Sequence, residues 1–435
     1  MSTSQATGSM NNPHLYALIA GEASGDTLGA GLMRALLRLD PKAQFIGVGG
    51  DKMMKAGLSS IGNMETLSVM GIVEVVAHLV PILKLRSHIT KTLLKARPCV
   101  VIGIDSPDFN LTIEKRMKNA GIPTMHYVSP SVWAWREGRM SKIKEACDEV
   151  LALLPFEKEF YDRAGMPCTY VGHTLANLIP LQVPQQQAKA RIDLENTSVE
   201  PIKGKVMAIL AGSRKGELTH MVPVYAQTAR LIKAKMPDVV FISACANENQ
   251  AKLLKDLWLA VAPDLSLTIY VGCTYEAIAS ADAVLLTSGT VAFETMLLKR
   301  PMAVAYKVNP LTAMIGRRLL KIDMFSLPNL LAKRRIVAEF IQENCTPENL
   351  AQEMIKLLTS DNLLMKNEFL SMHRAIRKNS DEIAAKAVLA LVKNRGRNAP
   401  DTQENISFGH GVEPSVTLPS TPLHHESGVR REPKL

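Results

Sequence analysis

Two series of short, largely apolar runs constrain the fold more than any other feature of this sequence, and helical patterns separate most of the runs. The first series comprises Leu15–Ala20, Phe45–Val48, Val100–Ile104, Thr124–Val128 and Val150–Leu154. The second comprises Val206–Leu210, Val239–Ser243, Leu267–Val271, Ala283–Leu286 and Met302–Ala305. Strands that are apolar along their length are buried on both faces, and their alternation with helices is typical of parallel α/β sheets. We therefore predict two Rossmann-like α/β domains that face each other across a cleft, with closing C-terminal helices.

Changes in composition divide the chain of 435 residues into six segments. We predict a disordered leader (1–13), a first α/β domain (14–180), a linker region rich in Pro, Gln and charge (181–205), a second α/β domain (206–360), C-terminal helices (361–395) and a disordered tail (396–435). In two such domains, the loops at the carboxyl ends of the strands are expected to build the ligand cleft.

The balance of charge narrows the partners. The net charge is +10, which favours an anionic partner: nucleic acid, an anionic membrane surface or a phosphorylated substrate. The cations form no stripe interleaved with aromatic residues, so we predict no nucleic-acid partner. The six cysteines form no Cys-x-x-Cys pair and read as reduced core thiols, and the N-terminus lacks a signal-peptide pattern. These features predict a cytoplasmic protein that is soluble or bound peripherally to a membrane.

Polar loops follow the strands of the first series. The loop from Gly21 contains Glu22 and Ser24 and can approach a phosphate or sugar, but it lacks the Gly-x-Gly-x-x-Gly spacing of dinucleotide-binding dehydrogenases. Asp105 stands at the end of a fully apolar strand, where a carboxylate can act as a general base. Asp108 reads instead as a turn or cap residue.

Two segments of the first half allow alternatives. The stretch after His126 carries Ser129, Trp133 and Trp135, whose hydroxyl and rings suit a sugar, although a packed aromatic corner would look the same. The stretch from Leu67 to Lys95 is apolar with interspersed cations. It is either a set of buried helices or a patch that presses into a lipid bilayer.

The second series is also followed by loops that suit a nucleotide. Four loop features are candidate ligand contacts: Gly212–Arg214 for a diphosphate, Ser288, Gly289 and Thr290 as the start of a helix that can bind an anion, Glu294 for ribose hydroxyls, and Asn329 in a polar break. A plain turn role explains Asn329 as well. No Asp-x-Asp pair stands beside these loops, so we predict neither a metal nor a cofactor.

Together these loops resemble those of the lipid-A-disaccharide synthase family, inverting glycosyltransferases of the two-domain GT-B architecture. The resemblance rests, in chain order, on AGEASGDTLGAGL from Ala20, MGIVEV from Met70, GIDSPDFN from Gly103, HYVSPSVWAWR from His126, LPFEKEFY from Leu154, GSR from Gly212, SGT…E from Ser288 and SLPNLL from Ser326. The sequence departs from the family pattern at Ala211, where Pro is expected, and at Ser106, where Ala is expected.

The resemblance implies the reaction. The family joins UDP-2,3-diacylglucosamine to 2,3-diacylglucosamine 1-phosphate, giving a β-1,6-linked lipid disaccharide phosphate and UDP. It makes Asp105 the base on the acceptor 6-hydroxyl, and the first domain the acceptor side. Donor or UDP contacts would be Ser24, Arg214, Ser288, Glu294 and Asn329, with Glu22 near the reacting sugars. It also implies work at the anionic inner-membrane surface, and it is compatible with a homodimer.

Two other classes of function fit parts of the pattern. The first is another GT-B enzyme acting on a UDP-sugar, such as a murein glycosyltransferase or an epimerase. The second is a non-catalytic protein that binds a nucleotide sugar or a lipid. Turnover with acylated and non-acylated UDP-glucosamine separates these hypotheses from the main one.

Overall fold

A computed structural model describes residues 11–67, 72–130, 138–195, 204–307 and 324–397. The expected disorder of residues 1–10 and 398–435 lies outside these ranges, as do Trp133, Trp135 and part of the apolar stretch after Leu67. Among the described residues, no helix combines the length and the apolar character needed to cross a membrane.

The first half of the chain is a seven-stranded parallel sheet with helices between its strands. Its elements are β1 (Asn12–Ala20), α1 (Ala23–Leu39), β2 (Gln44–Val48), α2 (Asp51–Lys55), β3 (Leu58–Ser60), α3 (Ile72–Ala96), β4 (Pro98–Ile104), α4 (Pro107–Asn119), β5 (Thr124–Tyr127), α5 (Gly138–Ala146), β6 (Glu149–Ala152), α6 (Pro155–Arg163) and β7 (Cys168–Tyr170). The strand order is β3-β2-β1-β4-β5-β6-β7. All seven residues of β4 are buried, as expected of a central strand covered on both faces.

The second half begins with two connecting helices and continues as a six-stranded parallel sheet. Its elements are α7 (Thr174–Leu178), α8 (Gln185–Glu195), β8 (Val206–Leu210), α9 (Lys215–Lys235), β9 (Val240–Cys245), α10 (Glu248–Val261), β10 (Thr268–Val271), α11 (Thr274–Ser280), β11 (Ala283–Thr287), α12 (Thr290–Leu297), β12 (Met302–Tyr306), α13 (Leu327–Ala332), β13 (Ala338–Ile341), α14 (Pro347–Thr359), α15 (Leu363–Ile376) and α16 (Ser380–Arg397). The strand order is β10-β9-β8-β11-β12-β13.

Three observed strands, β3, β7 and β13, are absent from the sequence-based prediction. Each lies at the edge of its sheet, and each is only three or four residues long. An edge strand is partly exposed and carries no continuous apolar run, so the pattern that reveals central strands does not reveal these. Helix α8 also lies inside the segment expected to be a linker, and β1 begins at Asn12, within the expected leader.

The chain from α15 onward returns to the segment that connects the two sheets, and its last helix also reaches the first sheet, where Arg395 pairs with Asp148 beside β6. The side chain of His373, on α15, bonds the carbonyl oxygen of Ala176 at 2.8 Å. Asn177 donates to the carbonyl oxygen of Lys378 at 2.5 Å. In the opposite direction, Lys299 donates to the carbonyl oxygen of Pro180 at 2.9 Å. Both sheets therefore belong to one compact unit.

Strand order reverses beside β1 and β4 in the first sheet, and beside β8 and β11 in the second. At such a point, neighbouring loops leave the carboxyl ends of the strands in opposite directions and open a crevice for a ligand. The loops concerned are those that contain Glu22, Asp105, Arg214 and Ser288. The fold therefore brings the loops singled out from the sequence to the two positions where a ligand is expected.

Candidate active site

The turn between β4 and α4 has an unusual backbone. Asp105 and Ser106 are consecutive and both lie in the left-handed region, with φ values of 54° and 45°. This conformation is strained for residues with a Cβ atom and persists only where surrounding bonds enforce it. The backbone N–H of Asp105 donates to the carbonyl oxygen of Tyr127 at 2.8 Å, and that of Ser106 donates to Oδ1 of Asp105 at 2.8 Å. The turn holds a half-buried carboxylate at the strand end.

Glu22 connects this turn to the second half of the chain. It is half-buried and precedes the first residue of α1. Burial raises the pKa of its carboxyl group, the negative charge of Asp105 raises it further, and the positive charge of Arg214 lowers it. The carboxyl group of Glu22 is therefore within electrostatic range of one residue on a loop of each sheet.

The rest of the first loop divides into an exposed and a buried part. Ser24 is exposed in the first turn of α1, open to a ligand. Asp26 is buried and accepts hydrogen bonds from the backbone N–H groups of Gly50, Lys52 and Met53, at 2.8 to 3.0 Å. No role was predicted for Asp26 from the sequence. In the structure, its carboxylate fixes the start of α2, after β2.

The departure at Ser106 has a visible partner. A Cβ atom at Gly21 would lie 2.3 Å from Oγ of Ser106, so the serine side chain packs directly on the glycine backbone. The two strand-end loops of the first sheet therefore touch, and a side chain at position 21 would have to displace the serine hydroxyl.

Arg214 lies at the start of α9, and its side chain is 75% exposed. The backbone N–H groups of Ser213 and Arg214 donate to Oε2 of Glu217 at 3.0 and 3.3 Å, and Nη1 of Arg214 lies 3.6 Å from Oε1 of the same residue. The expected backbone donors for a diphosphate are thus engaged by Glu217, whereas the guanidinium group faces solvent. No role was predicted for Glu217 from the sequence, although a Glu at the third position of a helix is a common capping signal.

The loop after β11 is open. Ser288 is half-buried, while Gly289 and Thr290 are exposed at the start of α12. Glu294, one turn later, is mostly buried, and burial raises the pKa of its carboxyl group. In the parts of the chain that the structure describes, no hydrogen-bond donor is paired with that carboxylate. A largely buried carboxylate without a protein donor suits a ligand with hydroxyl groups.

Ser129 and Asn329 lie inside the protein. Ser129 is 7% exposed, and its hydroxyl lies 2.9 Å from that of Tyr161. Asn329 is fully buried. Its amide nitrogen donates to the carbonyl oxygen of Val337 and to Glu339, and its amide oxygen accepts from the N–H groups of Ile336 and Val337, at 2.8 to 3.0 Å. The polar side-chain atoms of both candidate contacts are therefore bonded within the protein.

Tyr306, the last residue of β12, was missed by the sequence-based prediction. Burial raises the pKa of its hydroxyl, the charge of Glu217 raises it further, and the charge of Arg214 lowers it. It therefore stands beside the loop of Arg214. Its position at a strand end next to β11 is the signal that could have found it.

Within the described ranges, no three His, Cys, Asp or Glu side chains converge as metal ligands would.

Comparison with known proteins adds the family. Residues 16–388 match the family model described as lipid-A-disaccharide synthetase. The chain is 45% identical over 384 residues to the lipid-A-disaccharide synthase of Vibrio campbellii, covering 88% of this chain and 100% of that one. It is 47% identical over 386 residues to that of Psychromonas ingrahamii, covering 89% and 100%.

Solved structures share the architecture at low sequence identity. A UDP-GlcNAc 2-epimerase from Neisseria meningitidis, bound to UDP-GlcNAc, has a TM-score of 0.54 at 12% identity, over 88% of this chain and 99% of that one. A transferase from Siraitia grosvenorii in complex with UDP has a TM-score of 0.52 at 11% identity, over 87% and 99%. These likenesses confirm the predicted fold of two facing Rossmann-like domains.

Proposed function

The chain belongs to the lipid-A-disaccharide synthase family, glycosyltransferases of lipid A biosynthesis, and from that membership we propose the substrates and the roles of the residues. The donor is UDP-2,3-diacylglucosamine, the acceptor is 2,3-diacylglucosamine 1-phosphate, and the products are the β-1,6-linked disaccharide 1-phosphate and UDP. The observation that carries the proposal is that the charges of Asp105, on a loop of the first sheet, and Arg214, on a loop of the second, both act on the carboxyl group of Glu22.

Asp105 acts as the general base. Its carboxylate takes the proton of the acceptor 6-hydroxyl while that oxygen bonds to the anomeric carbon of the donor, whose bond to the diphosphate breaks. Burial and the charge of Asp105 both raise the pKa of Glu22, and the charge of Arg214 lowers it. The position of Asp105 at the end of a fully buried strand makes it the proposed base.

The second half of the chain holds the leaving group, with residues 206–360 as the proposed nucleotide-sugar domain and residues 14–180 as the acceptor-side domain. The exposed guanidinium group of Arg214 can pair with two oxygens of the diphosphate and stabilise the charge that develops there. Ser288, Gly289 and Thr290 line the start of α12, where an anion is favoured. Glu294 accepts hydrogen bonds from the ribose hydroxyls.

The remaining candidate residues receive different roles. Ser24 is exposed beside Glu22 and stays a proposed donor contact. Ser129 and Asn329 are instead proposed to fix the shape of the loops around the cleft, because their polar atoms are engaged within the protein.

We also propose that the protein works at the anionic inner-membrane surface. Val80 and Leu83, on α3, are 59% and 42% exposed, and the exposed cations Lys84 and Lys91 lie on neighbouring turns. An exposed helix face that combines apolar side chains with cations binds to the surface of an anionic bilayer. The same surface delivers both acylated substrates. The homodimer stays a prediction from the family resemblance.

Acceptor-dependent release of UDP tests this function. The purified protein is incubated in detergent with UDP-2,3-diacylglucosamine, with and without 2,3-diacylglucosamine 1-phosphate, and the lipid product is identified by its mass. We expect UDP and the disaccharide phosphate in equal amounts only when both lipids are present. Release of UDP without the acceptor, or equal turnover of non-acylated UDP-glucosamine, would favour another enzyme that acts on UDP-sugars.

A further inference from the structure

The strained turn at Asp105 is supported by a buried side chain, that of Asn110, which has no role in the proposed reaction. Asn110 lies in the first turns of α4 and is fully buried. Its amide nitrogen donates to the carbonyl oxygen of Asp105 at 2.8 Å and also lies 3.2 Å from that of Ile19 and 3.4 Å from that of Ile104. One amide group thus joins the ends of β1 and β4 to the peptide of the proposed base.

The backbone of α4 adds to the same turn. The N–H groups of Phe109 and Asn110 both donate to the carbonyl oxygen of Ser106 at 3.0 Å. These bonds fix the position of Ser106, but they leave the carbonyl oxygen of Asp105 to the side chain of Asn110. Among the described residues, that side chain is the only hydrogen-bond donor found for this oxygen.

The space below the turn is shaped for this contact. A Cβ atom at Gly103 would lie 2.8 Å from Cβ of Asn110 and 2.1 Å from Oε1 of Glu114. Glu114 is itself buried and paired with Nδ1 of His126 at 2.8 Å. The glycine in the strand therefore leaves room for a polar cluster of Asn110, Glu114 and His126 next to the turn that carries Asp105.

The cluster is a poor source of stability for the fold. Oδ1 of Asn110, Oε2 of Glu114 and Nε2 of His126 are buried, and they lack a hydrogen-bond partner among the residues that the structure describes. Buried polar atoms without partners destabilise the native state. Strained backbone with a supporting polar cluster is characteristic of catalytic turns, where geometry is maintained at the expense of stability.

We propose that Asn110 is a positioning residue, which keeps Asp105 in the left-handed conformation and so aims its carboxylate at the acceptor hydroxyl. The inference rests on the proposed role of Asp105 as the base. Without the amide donor, the carbonyl oxygen of Asp105 loses its bond and the turn relaxes towards unstrained conformations. A displacement of the base by about 1 Å is enough to lower turnover about 100-fold.

The first experiment compares Asn110→Ala with Ser243→Ala. Ser243 is equally buried and donates to the carbonyl oxygen of Ile209 at 2.6 Å, in the second sheet, so its variant also loses one buried hydrogen bond to a strand. For Asn110→Ala we expect kcat to fall about 100-fold, with the Kd for UDP within about twofold of the wild-type value. For Ser243→Ala we expect kcat to stay within about threefold. Equal kcat losses in the two variants would overturn the inference, as would a loss of UDP affinity that matches the loss of kcat.

A second substitution distinguishes positioning from general damage. Glycine adopts the left-handed conformation without strain. Ser106→Gly therefore removes part of the backbone strain of the turn, which the hydrogen bond from Asn110 otherwise has to offset. We expect the double variant Asn110→Ala/Ser106→Gly to recover at least about threefold of the lost kcat, and the absence of recovery contradicts the account. If Asn110→Ala does not fold, Asn110→Ser takes its place, because serine is shorter and lacks the amide group that donates to the carbonyl oxygen of Asp105.

Asp105→Asn, measured in parallel, separates the two proposals. If Asp105→Asn turns over normally, the assignment of the base fails, and the inference about Asn110 fails with it. If Asp105→Asn is inactive while Asn110→Ala has wild-type kcat, Asp105 stays the base and only the positioning role is overturned.

Discussion

The turn that carries Asp105 and the loops that carry Arg214 and Glu294 stand at equivalent places in two similar sheets, yet they are built in opposite ways. The first is strained, and hydrogen bonds inside the protein fix it, with the amide of Asn110 beneath it. In the second sheet, the guanidinium group of Arg214 is 75% exposed. The carboxylate of Glu294 has no donor among the described residues.

This difference matches the two tasks of a sugar transfer. A general base acts only at the correct distance from its proton, so its position must be fixed before the substrates bind. A diphosphate is held mainly by charge, and exposed cationic groups can close on it after binding. The first half is therefore suited to chemistry and the second half to affinity, and the following variants test that division.

The largest expected effect belongs to the base. Asp105→Asn keeps the size of the side chain but removes its ability to take a proton, so we expect kcat to fall about 1,000-fold in the UDP-release assay. Asp108→Asn is the matched control, because Asp108 is an exposed residue in the first turn of α4, the helix that follows Asp105. Its kcat should stay within about threefold of wild type. Similar losses in both variants would show that negative charge near the start of α4 matters, rather than a base at position 105.

Arg214→Ala is expected to have the next largest effect. Loss of the group that stabilises the departing diphosphate should lower kcat/KM for the donor about 100-fold. Lys215→Ala, which removes the neighbouring cation at the start of α9, serves as the control and should change kcat/KM less than about threefold. Equal effects of the two substitutions would mean that general positive charge, rather than a specific contact, attracts the donor.

Glu294→Gln should have a smaller effect that is confined to the ribose. A carboxylate that accepts from ribose hydroxyls contributes about tenfold in affinity. We expect wild type to bind UDP about tenfold more tightly than 2′-deoxy-UDP, and the variant to bind both with similar, weaker affinity. Isothermal titration measures both constants. A variant that still discriminates between the two nucleotides would place the ribose elsewhere.

The smallest expected effect on turnover comes from Glu157, a buried residue that fixes a strand-end loop of the first sheet. Its carboxylate accepts from the N–H of Leu154 at 2.9 Å, and burial raises its pKa to about 7. Because this value lies above that of an unfolded Glu, the native state binds more protons between about pH 4.5 and 7, and its stability falls as pH rises through that window.

Glu157→Gln keeps the acceptor atom and removes the ionisation. We expect the variant to be about 1 to 3 kcal/mol more stable than wild type at pH 8, with the difference disappearing near pH 4.5 and kcat within about twofold. Urea unfolding at both pH values measures the free energies. A constant difference between the two pH values would show that Glu157 does not titrate in this range.

The sequence predicted the central parts of this structure and missed its margins, for physical reasons. Strands such as β4 were recognisable because every residue is buried and apolar, and Asp105 was recognisable because it ends such a strand. The edge strand β13 was not, since it is short and half-exposed. The closing C-terminal helices, observed as α15 and α16, were predicted correctly, because their apolar spacing is regular.

The site was predictable as a set of loops but not as a set of contacts. A loop position shows that Asn329 lies near the second sheet, but only coordinates show that its whole amide is bonded within the protein. Likewise, the role of Glu217 depends on a hydrogen bond to the N–H of Ser213, which no spacing rule separates from an exposed acid. The left-handed backbone at Asp105 and Ser106 has no signal in the sequence, because neither residue is glycine.

Titration of UDP into two variants, side by side with wild type, tests the division between the halves most directly. If Asp105 serves the chemistry and Arg214 holds the nucleotide, Asp105→Asn binds UDP with a Kd within about twofold of wild type, whereas Arg214→Ala binds at least about tenfold more weakly. An Asp105→Asn protein that loses as much UDP affinity as Arg214→Ala would contradict this account, and so would an Arg214→Ala protein with unchanged affinity.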